Sequence, residues 1–281
     1  MQYWPGGIIS IATGSKRIPS RFSRSWQAHI PVDASKCPFE LNPQDELENY
    51  YQGKPKEDGW RLTRSTTKSE PYHLLVMPET CRVWPEERTR LLGGEEKIAE
   101  AVEIASRRAE MDLMTYAQFS VQVGPLAAQN VPHLHYHLYS LDGLDREANL
   151  GREILQTHRE HLDDLLIFED ESFRVIAGGH YAGQCFFIPR DLGQPPQFDA
   201  RMAKILNRVV SLYAAKFMSV EGLPPDFGFE LSIRDGRVAF GMFRPVLNQI
   251  GTLETMTLLT PGIRGFNLGW PHEETARYLR D

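Results

Sequence analysis

The stretch NVPHLHYHLYS, residues 130–140, places His133, His135 and His137 at every second position. Alternate side chains of a β-strand project from the same face of the sheet. The three imidazoles therefore share one face, and the apolar side chains at positions 134, 136 and 138 point to the core. The pattern predicts a half-buried strand that lines a cleft.

Three roles fit a row of histidines on one strand face. Neutral imidazole attacks phosphorus well near pH 7, because its ordinary pKa is about 6.5, and the flanking histidines would then donate to phosphate oxygens. Imidazole is also a common metal ligand, and alternate strand residues can chelate one ion. A solvent-exposed strand face is the third possibility. The histidines alone leave all three roles open.

The segments around the histidines predict the layout of a first half. Residues 73–78 (HLLVMP) are an apolar run that ends in proline, which indicates a buried strand. Residues 95–114 carry an apolar stripe at helical spacing, and residues 117–123 alternate as a strand does. With residues 131–139 the order is strand, helix, strand, turn, strand. His73 is interpreted as a structural strand residue, with a phosphate contact as the alternative.

The second half repeats this order. Residues 173–179 and 185–191 predict two strands, and residues 199–218 predict a helix with Asp199 as its N-cap. Residues 227–245 contain two strands around RDGR, whose Asp-Gly pair is typical of a tight hairpin. We infer a diverged internal duplication. The fold is then α+β, with two halves that are each an antiparallel sheet with a packed helix.

The duplication divides the chain into three parts. The first half with the histidines spans residues 1–145, a connecting helix spans 146–166, and the second half with a C-terminal tail spans 167–281. The duplication removes the need to dimerise in order to complete the fold, and the sequence makes no prediction about oligomeric state.

Composition and charge exclude several classes of protein. The 281 residues carry a formal net charge of −6, so the surface as a whole attracts neither nucleic acid nor an anionic membrane. Three widely spaced cysteines do not suggest a disulfide framework. No apolar run approaches the ~18 residues of a membrane span, and the N-terminus lacks the order of a signal peptide. We expect a soluble, cytoplasmic protein.

Residues 119–139, FSVQVGPLAAQNVPHLHYHLY, resemble the signature of the histidine triad (HIT) superfamily. That signature is a Gln-containing strand, a Gly-x-x-Ala-Gln-Ser/Thr turn and then His-φ-His-φ-His-φ-φ, where φ is apolar. The matching positions before the histidines are Gln122, Gly124, Ala128, Gln129 and Asn130. Residues 37–46 (CPFELNPQDE) are similar to the opening of galactose-1-phosphate uridylyltransferases, a two-halved branch of the superfamily. Two-halved diadenosine tetraphosphate phosphorylases belong to the same neighbourhood.

The resemblance implies a small-molecule nucleotide substrate and a covalent mechanism. His135 would attack the α-phosphorus of a nucleoside 5′-phosphoanhydride, and His133 and His137 would position it and bind phosphate oxygens. Gln122, Gln129 and Asn130 match family positions near the scissile phosphate. Preorganised donors of this kind stabilise the charge that spreads over the phosphoryl oxygens in the transition state.

The acceptor in the second step decides the reaction. The two-halved chain favours a transferase or a phosphorylase, whereas His137, where uridylyltransferases have Gln, favours a hydrolase. In the second half the place of the triad reads FGMFRPVL, without histidine, so the resemblance implies one active centre per chain. A non-catalytic nucleotide- or metal-binding protein is the alternative from another class.

Two further features follow from the resemblance. The related transferases use N-terminal arginines on the diphosphate, which points to Arg17 and Arg21 as substrate-binding residues; a solvated arm is the alternative. The transferases also bind a structural zinc near their Cys-x-x-Cys opening. We predict no cofactor from the sequence, with a structural zinc as the alternative. Such a zinc would use Cys37, Glu40, Cys81 and His133; otherwise both cysteines are small buried apolar residues.

Overall fold

The computed structural model of the chain describes residues 2–4, 8–10, 21–22, 46–49, 59–64, 73–78, 94–124, 127, 134–140, 154, 156, 160–179, 183–219, 226–246 and 272–280. The strands in these ranges are β1 (Gln2–Trp4), β2 (Ile8–Ser10), β3 (Arg21–Phe22), β4 (Glu46–Asn49), β5 (Trp60–Arg64), β6 (His73–Pro78), β7 (Tyr116–Val123), β8 (Tyr136–Ser140), β9 (Leu166–Glu169), β10 (Phe173–Ala177), β11 (Cys185–Pro189), β12 (Met218–Ser219), β13 (Asp226–Arg234) and β14 (Arg237–Val246). The helices are α1 (Glu95–Met111), α2 (Leu162–Leu165), α3 (Met202–Lys216) and α4 (His272–Arg280).

Ten of the strands form one continuous antiparallel sheet in the order β4-β5-β6-β8-β7-β13-β14-β11-β10-β9. The order reads the same from both ends once β5, β6, β7 and β8 are matched with β10, β11, β13 and β14. The two halves therefore join through their equivalent strands β7 and β13, whose register runs from Tyr116 opposite Arg234 to Val123 opposite Phe227. The expected α+β fold with two repeated halves is confirmed, and the two expected sheets are one.

The core lies between one face of this sheet and the two long helices. α1 contributes Ile98, Val102 and Ala105, and α3 contributes Leu206 and Val209, all of them buried. Each helix carries its apolar residues on one side because they recur at helical spacing, so each covers its own half of the sheet. The two helices also contact each other across the junction of the halves.

Aromatic packing fixes the middle of this core. Phe119 of β7 stacks on Tyr136 of β8 with ring centroids 5.2 Å apart, and Phe229 of β13 approaches Phe119 at 6.2 Å. All three side chains are at most 2% exposed. Burial of side chains of this size stabilises a fold by roughly 2–3 kcal/mol each, so these three rings help to hold the two halves together.

The strand registers identify equivalent positions in the two halves. β6 and β11 both end in proline, at Pro78 and Pro189. His137 pairs with Leu75, three residues before Pro78, and Met242 pairs with Phe186, three residues before Pro189. Met242 is thus the counterpart of His137. The same alignment makes Phe240, Gln184 and Arg244 the counterparts of His135, His73 and Tyr139.

The structure tests three local predictions: the hairpin, the N-cap of the helix in the second half, and the connecting helix. The RDGR hairpin is confirmed, because Asp235 and Gly236 have φ of 49° and 71° and join β13 to β14. Asp199 is not the N-cap of α3, the helix of the second half. This helix begins at Met202, and the Asp199 carboxylate instead accepts from the backbone N–H of Arg201. Within the expected connecting helix 146–166, Ile154 and Gln156 are helical, and the one-turn α2 is followed by the start of β9. The boundaries at 145 and 166 stay predictions.

Among the helices that the structure describes, none has the length and apolar character needed to cross a bilayer.

Candidate active site

The histidine strand has one apolar face and one polar face. Leu134, Tyr136 and Leu138 are buried against the helices, whereas His135 and His137 are half-buried on the opposite face. Their imidazole centroids are 4.8 Å apart and their planes meet at 72°. The structure therefore brings these two histidines together on the face that the alternating pattern predicts.

A third histidine joins them from β6. His73 Nε2 lies 2.8 Å from His137 Nδ1, which is a hydrogen bond between the two imidazoles. The Tyr139 ring stacks on the His73 ring at 4.0 Å, and its hydroxyl lies 3.3 Å from the same Nδ1 of His137. His73 was interpreted from the sequence as a structural strand residue; the structure makes it a direct partner of the histidine row.

Burial keeps both members of this pair neutral. Desolvation lowers the pKa of His73 to about 4, with the nearby His135 as the second cause. Desolvation also lowers the pKa of His137 well below its usual value, with His135 and His73 as further causes. Both groups are therefore neutral near pH 7, where each imidazole has one N–H and one bare nitrogen.

The contacts of His137 Nδ1 favour one tautomer. Both groups that approach this nitrogen, His73 Nε2 and the Tyr139 hydroxyl, are able to donate to it when they carry a hydrogen. We assign a bare Nδ1 that accepts from them, which puts the proton of the neutral His137 ring on Nε2. In this state His137 presents a fixed N–H donor on its other side, which is what an anionic oxygen in front of the sheet requires.

Gln122 lies next to His135 across the strands. β7 pairs with β8 up to Val121 opposite Tyr136, so continuation of this register by one residue sets Gln122 opposite His135. On its other side Gln122 pairs with Gly228 of β13. Paired residues share a face, and the Gln122 side chain is half-buried. The polar row at this level is therefore His135, Gln122, Gly228 and Arg244.

Gly124 ends β7 just before the turn of the motif. Its φ of 93° lies in the region that favours glycine, and a Cβ there would stand 2.2 Å from Cγ of Asp226. Asp226 is fully buried and is the first residue of β13. The motif glycine is thus required both by its backbone conformation and by the close approach of the second half.

Several of the predicted site residues fall outside the described ranges. These are His133, Gln129, Asn130 and Arg17, together with the zinc candidates Cys37, Glu40 and Cys81. Arg21 is described by its backbone, which lies in β3 and pairs in parallel with β12 of the second half. Within the described part of the chain, no group of three or more histidine, cysteine or acidic side chains is arranged to hold a metal ion.

Sequence reasoning missed the polar residues that the second half adds to this face. Ser120 pairs with both His137 and Glu230, and Glu230 pairs with Met242. Arg244 lies on the same face, opposite Gly228. Their alternation on β13 and β14 was visible in the sequence, but their closeness to the histidines follows from the β7–β13 pairing, which no local pattern indicates.

The equivalent face of the second half is closed. Phe240 and Met242, the counterparts of His135 and His137, pack with Phe186, Ile176 and Ile188 under the connecting segment, which contributes Ile154 and Leu165. Gln184 Nε2 donates to Met242 Sδ at 3.2 Å, in the place of the His73–His137 hydrogen bond. This cluster leaves no imidazole on that side of the described sheet.

The chain matches no protein-family model and no curated protein. It is similar in structure to an ADP-glucose phosphorylase from Arabidopsis thaliana with bound ADP-glucose, at TM-score 0.60 and 15% identity over 92% of this chain and 94% of that one. It is similar to a galactose-1-phosphate uridylyltransferase-like protein from Arabidopsis thaliana at TM-score 0.58 and 15% identity, over 94% and 93% of the two chains. A uridylyltransferase gives TM-score 0.56 and 18% identity over 93% and 92%.

These likenesses establish the fold. The chain has the two-halved HIT-like fold of the uridylyltransferases over nearly its full length, which confirms the fold that the sequence resemblance implies.

Proposed function

We propose that the protein transfers a nucleotidyl group from a nucleoside 5′-phosphoanhydride through a covalent intermediate on His135. The observation that carries the proposal is the placement of His135 on the polar face, beside a neutral His137 that is hydrogen-bonded to His73. A nucleophile with an oriented donor beside it is the arrangement that covalent phosphoryl chemistry needs.

In the first step a bare nitrogen of His135 attacks the α-phosphorus. A P–N bond forms, the P–O bond to the rest of the anhydride breaks, and the leaving oxygen takes the electron pair. Negative charge spreads over the oxygens of the transferred group. The Nε2–H of His137 and the amide of Gln122 stand beside the nucleophile and donate to those oxygens. His133, Gln129 and Asn130 are proposed to complete the same set of donors.

In the second step an acceptor oxygen attacks the phosphorus and the P–N bond breaks, which returns His135 to its neutral form. Phosphate or a sugar phosphate as acceptor makes the protein a phosphorylase or a transferase, which the two-halved fold favours. Water as acceptor makes it a hydrolase, which His137 favours because uridylyltransferases have Gln at that position. Adenylyl and uridylyl donors are both proposed, since the structural neighbours include an ADP-glucose phosphorylase and a uridylyltransferase. We propose that the reaction takes place in the cytoplasm, and that Arg17 and Arg21 bind the diphosphate.

Intact-protein mass spectrometry tests the proposal. The protein is mixed briefly with UDP-glucose, ADP-glucose, ATP, diadenosine tetraphosphate and adenosine 5′-phosphoramidate, beside His135→Ala and the control His161→Ala. His161 suits the control because its side chain is 68% exposed in the connecting segment. We expect the mass of one nucleoside monophosphate on the wild type and on His161→Ala, and none on His135→Ala.

The donor that gives the adduct identifies the base, and its clearance by phosphate, sugar phosphate or water identifies the acceptor. An adduct that persists in His135→Ala would refute the assignment of the nucleophile. Nucleotide or stoichiometric zinc bound without any adduct or turnover would favour a non-catalytic binding protein.

A further inference from the structure

The second half places a cation in line with the nucleophile. Arg244 pairs with Gly228 on β14 and β13, Gly228 pairs with Gln122 on β7, and Gln122 lies beside His135. Direct pairing keeps all of these residues on one face of the sheet. Arg244 thus belongs to the same row as His135, although it comes from the half that has lost the histidines.

The absence of a side chain at Gly228 leaves room for the Arg244 guanidinium. A Cβ at Gly228 would lie 3.6 Å from Arg244 Nη2 and 3.9 Å from Cγ of Gln122. The guanidinium therefore reaches back across β13 toward the first half, over a position where a side chain would otherwise stand. The counterpart of Gly228 in the first half is Gln118, and the counterpart of Arg244 is Tyr139, which stacks on His73. The Gly–Arg pair is thus a local departure from the repeat.

Charge and spacing identify what this cation can bind. Within β8, β7, β13 and β14, Arg244 is the only lysine or arginine at the described positions of the three rows that contain His135, His137 and Tyr139. Gly228 on β13 is two strand spacings from β8, the strand of His135. The two backbones are therefore about 10 Å apart, and the imidazole of His135 occupies part of the space between them. A phosphate beyond the reacting α-phosphorus fits this distance. Glu230 lies one row away and disfavours an anion there, so the substrate is directed along the His135 row.

We propose that Arg244 binds the phosphate of the group that leaves from, or arrives at, the α-phosphorus on His135. This inference rests on the proposed nucleotidyl transfer. The guanidinium neutralises the leaving phosphate as the P–O bond breaks and holds the acceptor phosphate for the return step, in which its oxygen attacks phosphorus and the P–N bond breaks. Gln122, between the two, contacts the anhydride. The second half then serves as the acceptor side of a single active centre.

The test compares two donors that carry the same nucleotidyl group. ADP-glucose and UDP-glucose lose a sugar phosphate, whereas the matching adenosine and uridine 5′-phosphoramidates lose ammonia and have nothing for Arg244 to bind. Arg244→Met, Arg244→Lys and Gly228→Val are measured for the rate of adduct formation on His135. Gly228→Val keeps the arginine but fills the space under its guanidinium. Arg234→Met is the matched control, because Arg234 lies at the far end of β13, over the Tyr116 ring.

We expect Arg244→Met and Gly228→Val to slow adduct formation from the sugar nucleotide by about 10- to 100-fold, the scale of one charged hydrogen-bonding group. Arg244→Lys should lose less, and the phosphoramidate rate should stay within about 2-fold of wild type, which also shows that the variants are folded. Phosphate should clear the adduct more slowly in Arg244→Met, while hydrolysis by water is unchanged.

Equal slowing with both donors, or no slowing with either, would overturn the assignment of Arg244 and leave the proposed function standing. Absence of any adduct on the wild type with both donor classes would instead refute the proposed function, and this inference with it.

Discussion

Met242 occupies in the second half the position that His137 occupies in the first. Each is contacted by a polar side chain, from the first residue of β6 in one half and from the residue just before β11 in the other: His73 Nε2 lies 2.8 Å from His137 Nδ1, and Gln184 Nε2 lies 3.2 Å from Met242 Sδ. The repeat keeps the contact between the two positions, but the second half has no histidine at either of them. Under the proposed function this leaves one active centre per chain.

The His73–His137 hydrogen bond should set the orientation of His137 as a donor. His73→Gln keeps an N–H donor in the same place, as Gln184 does in the second half, and should lower kcat by less than about 10-fold. His73→Leu removes the donor and should approach the roughly 10²- to 10³-fold loss expected for His137→Ala, the scale of one stabilising donor.

The measurement is kcat and KM for the four proteins, with Tyr139→Phe as the control for the weaker hydroxyl contact. A loss confined to KM, or equal losses in His73→Gln and His73→Leu, would contradict an orienting role.

Stability should fall as the pH is lowered from about 6.5 to 4. The pKa of His73 in the folded protein is about 4 and that of His137 is also lowered, whereas both are near 6.5 in the unfolded chain. In this window the unfolded state binds more protons, so the free energy of unfolding rises with pH and decreases on acidification.

Urea unfolding of the wild type and His73→Gln at pH 4.5, 5.5 and 7 checks this. The difference between the two proteins should shift in favour of the variant as the pH falls, because the variant has lost one proton-binding group of the unfolded chain. A difference that is independent of pH would show that His73 is not held neutral by burial.

Two buried tyrosines should respond in opposite directions to loss of their hydroxyls. The Tyr136 hydroxyl is buried and has no hydrogen-bond partner among the described residues, whereas that of Tyr213 donates to the carbonyl of Gly183. Tyr136→Phe should raise the free energy of unfolding by about 1 kcal/mol, and Tyr213→Phe should lower it by about as much.

Chemical denaturation gives both values, and the two variants serve as controls for each other because each removes one oxygen from a fully buried ring. Destabilisation by Tyr136→Phe would mean that its hydroxyl has a partner that the described contacts omit.

Histidines introduced into the second half, at the positions equivalent to His135 and His137, should not form a nucleotidyl adduct. Phe240 is 2% exposed within an apolar cluster with Ile154 and Leu165, so an imidazole there lacks a partner and is closed off from substrate. Phe240→His should cost about 2–4 kcal/mol of stability. The triple variant His135→Ala, Phe240→His, Met242→His should form no nucleotidyl adduct. An adduct at the new histidines would show that the connecting segment opens.

Alanine substitutions at Gly124 and Gly94 separate the cost of backbone strain from the cost of a steric collision. Both have positive φ, 93° and 83°, but a Cβ at Gly94 meets nothing within 4 Å, whereas one at Gly124 would collide with the Asp226 carboxylate. The ψ of Gly94 is −177°, a conformation that essentially only glycine adopts, so Gly94→Ala should cost only the conformational strain, about 1–3 kcal/mol. Gly124→Ala should cost ~1–3 kcal/mol beyond its own strain and reduce activity, because the collision displaces β13 beside the histidines. Thermal unfolding and adduct formation measure both effects; equal costs for the two variants would contradict the collision.

The sequence by itself determined the local elements and the polarity of the histidine strand. The alternation of His135 and His137 with Leu134, Tyr136 and Leu138 assigns the two faces, because side chains in a strand alternate by steric necessity. The Asp235-Gly236 pair determined its hairpin for a similar reason, since the tight turn needs positive φ at both positions. The order of elements also revealed the duplication.

Only the tertiary structure decided which distant residues meet. The pairing of β7 with β13 made one sheet of two and carried Glu230, Gly228 and Arg244 to the histidine face. The pairing of β6 with β8 brought His73 to His137. Such registers depend on the burial of a whole face and on contacts far apart in the chain, so no window of sequence contains them. The lowered pKa values of His73 and His137 follow from the same burial, which exists only once the sheet has formed.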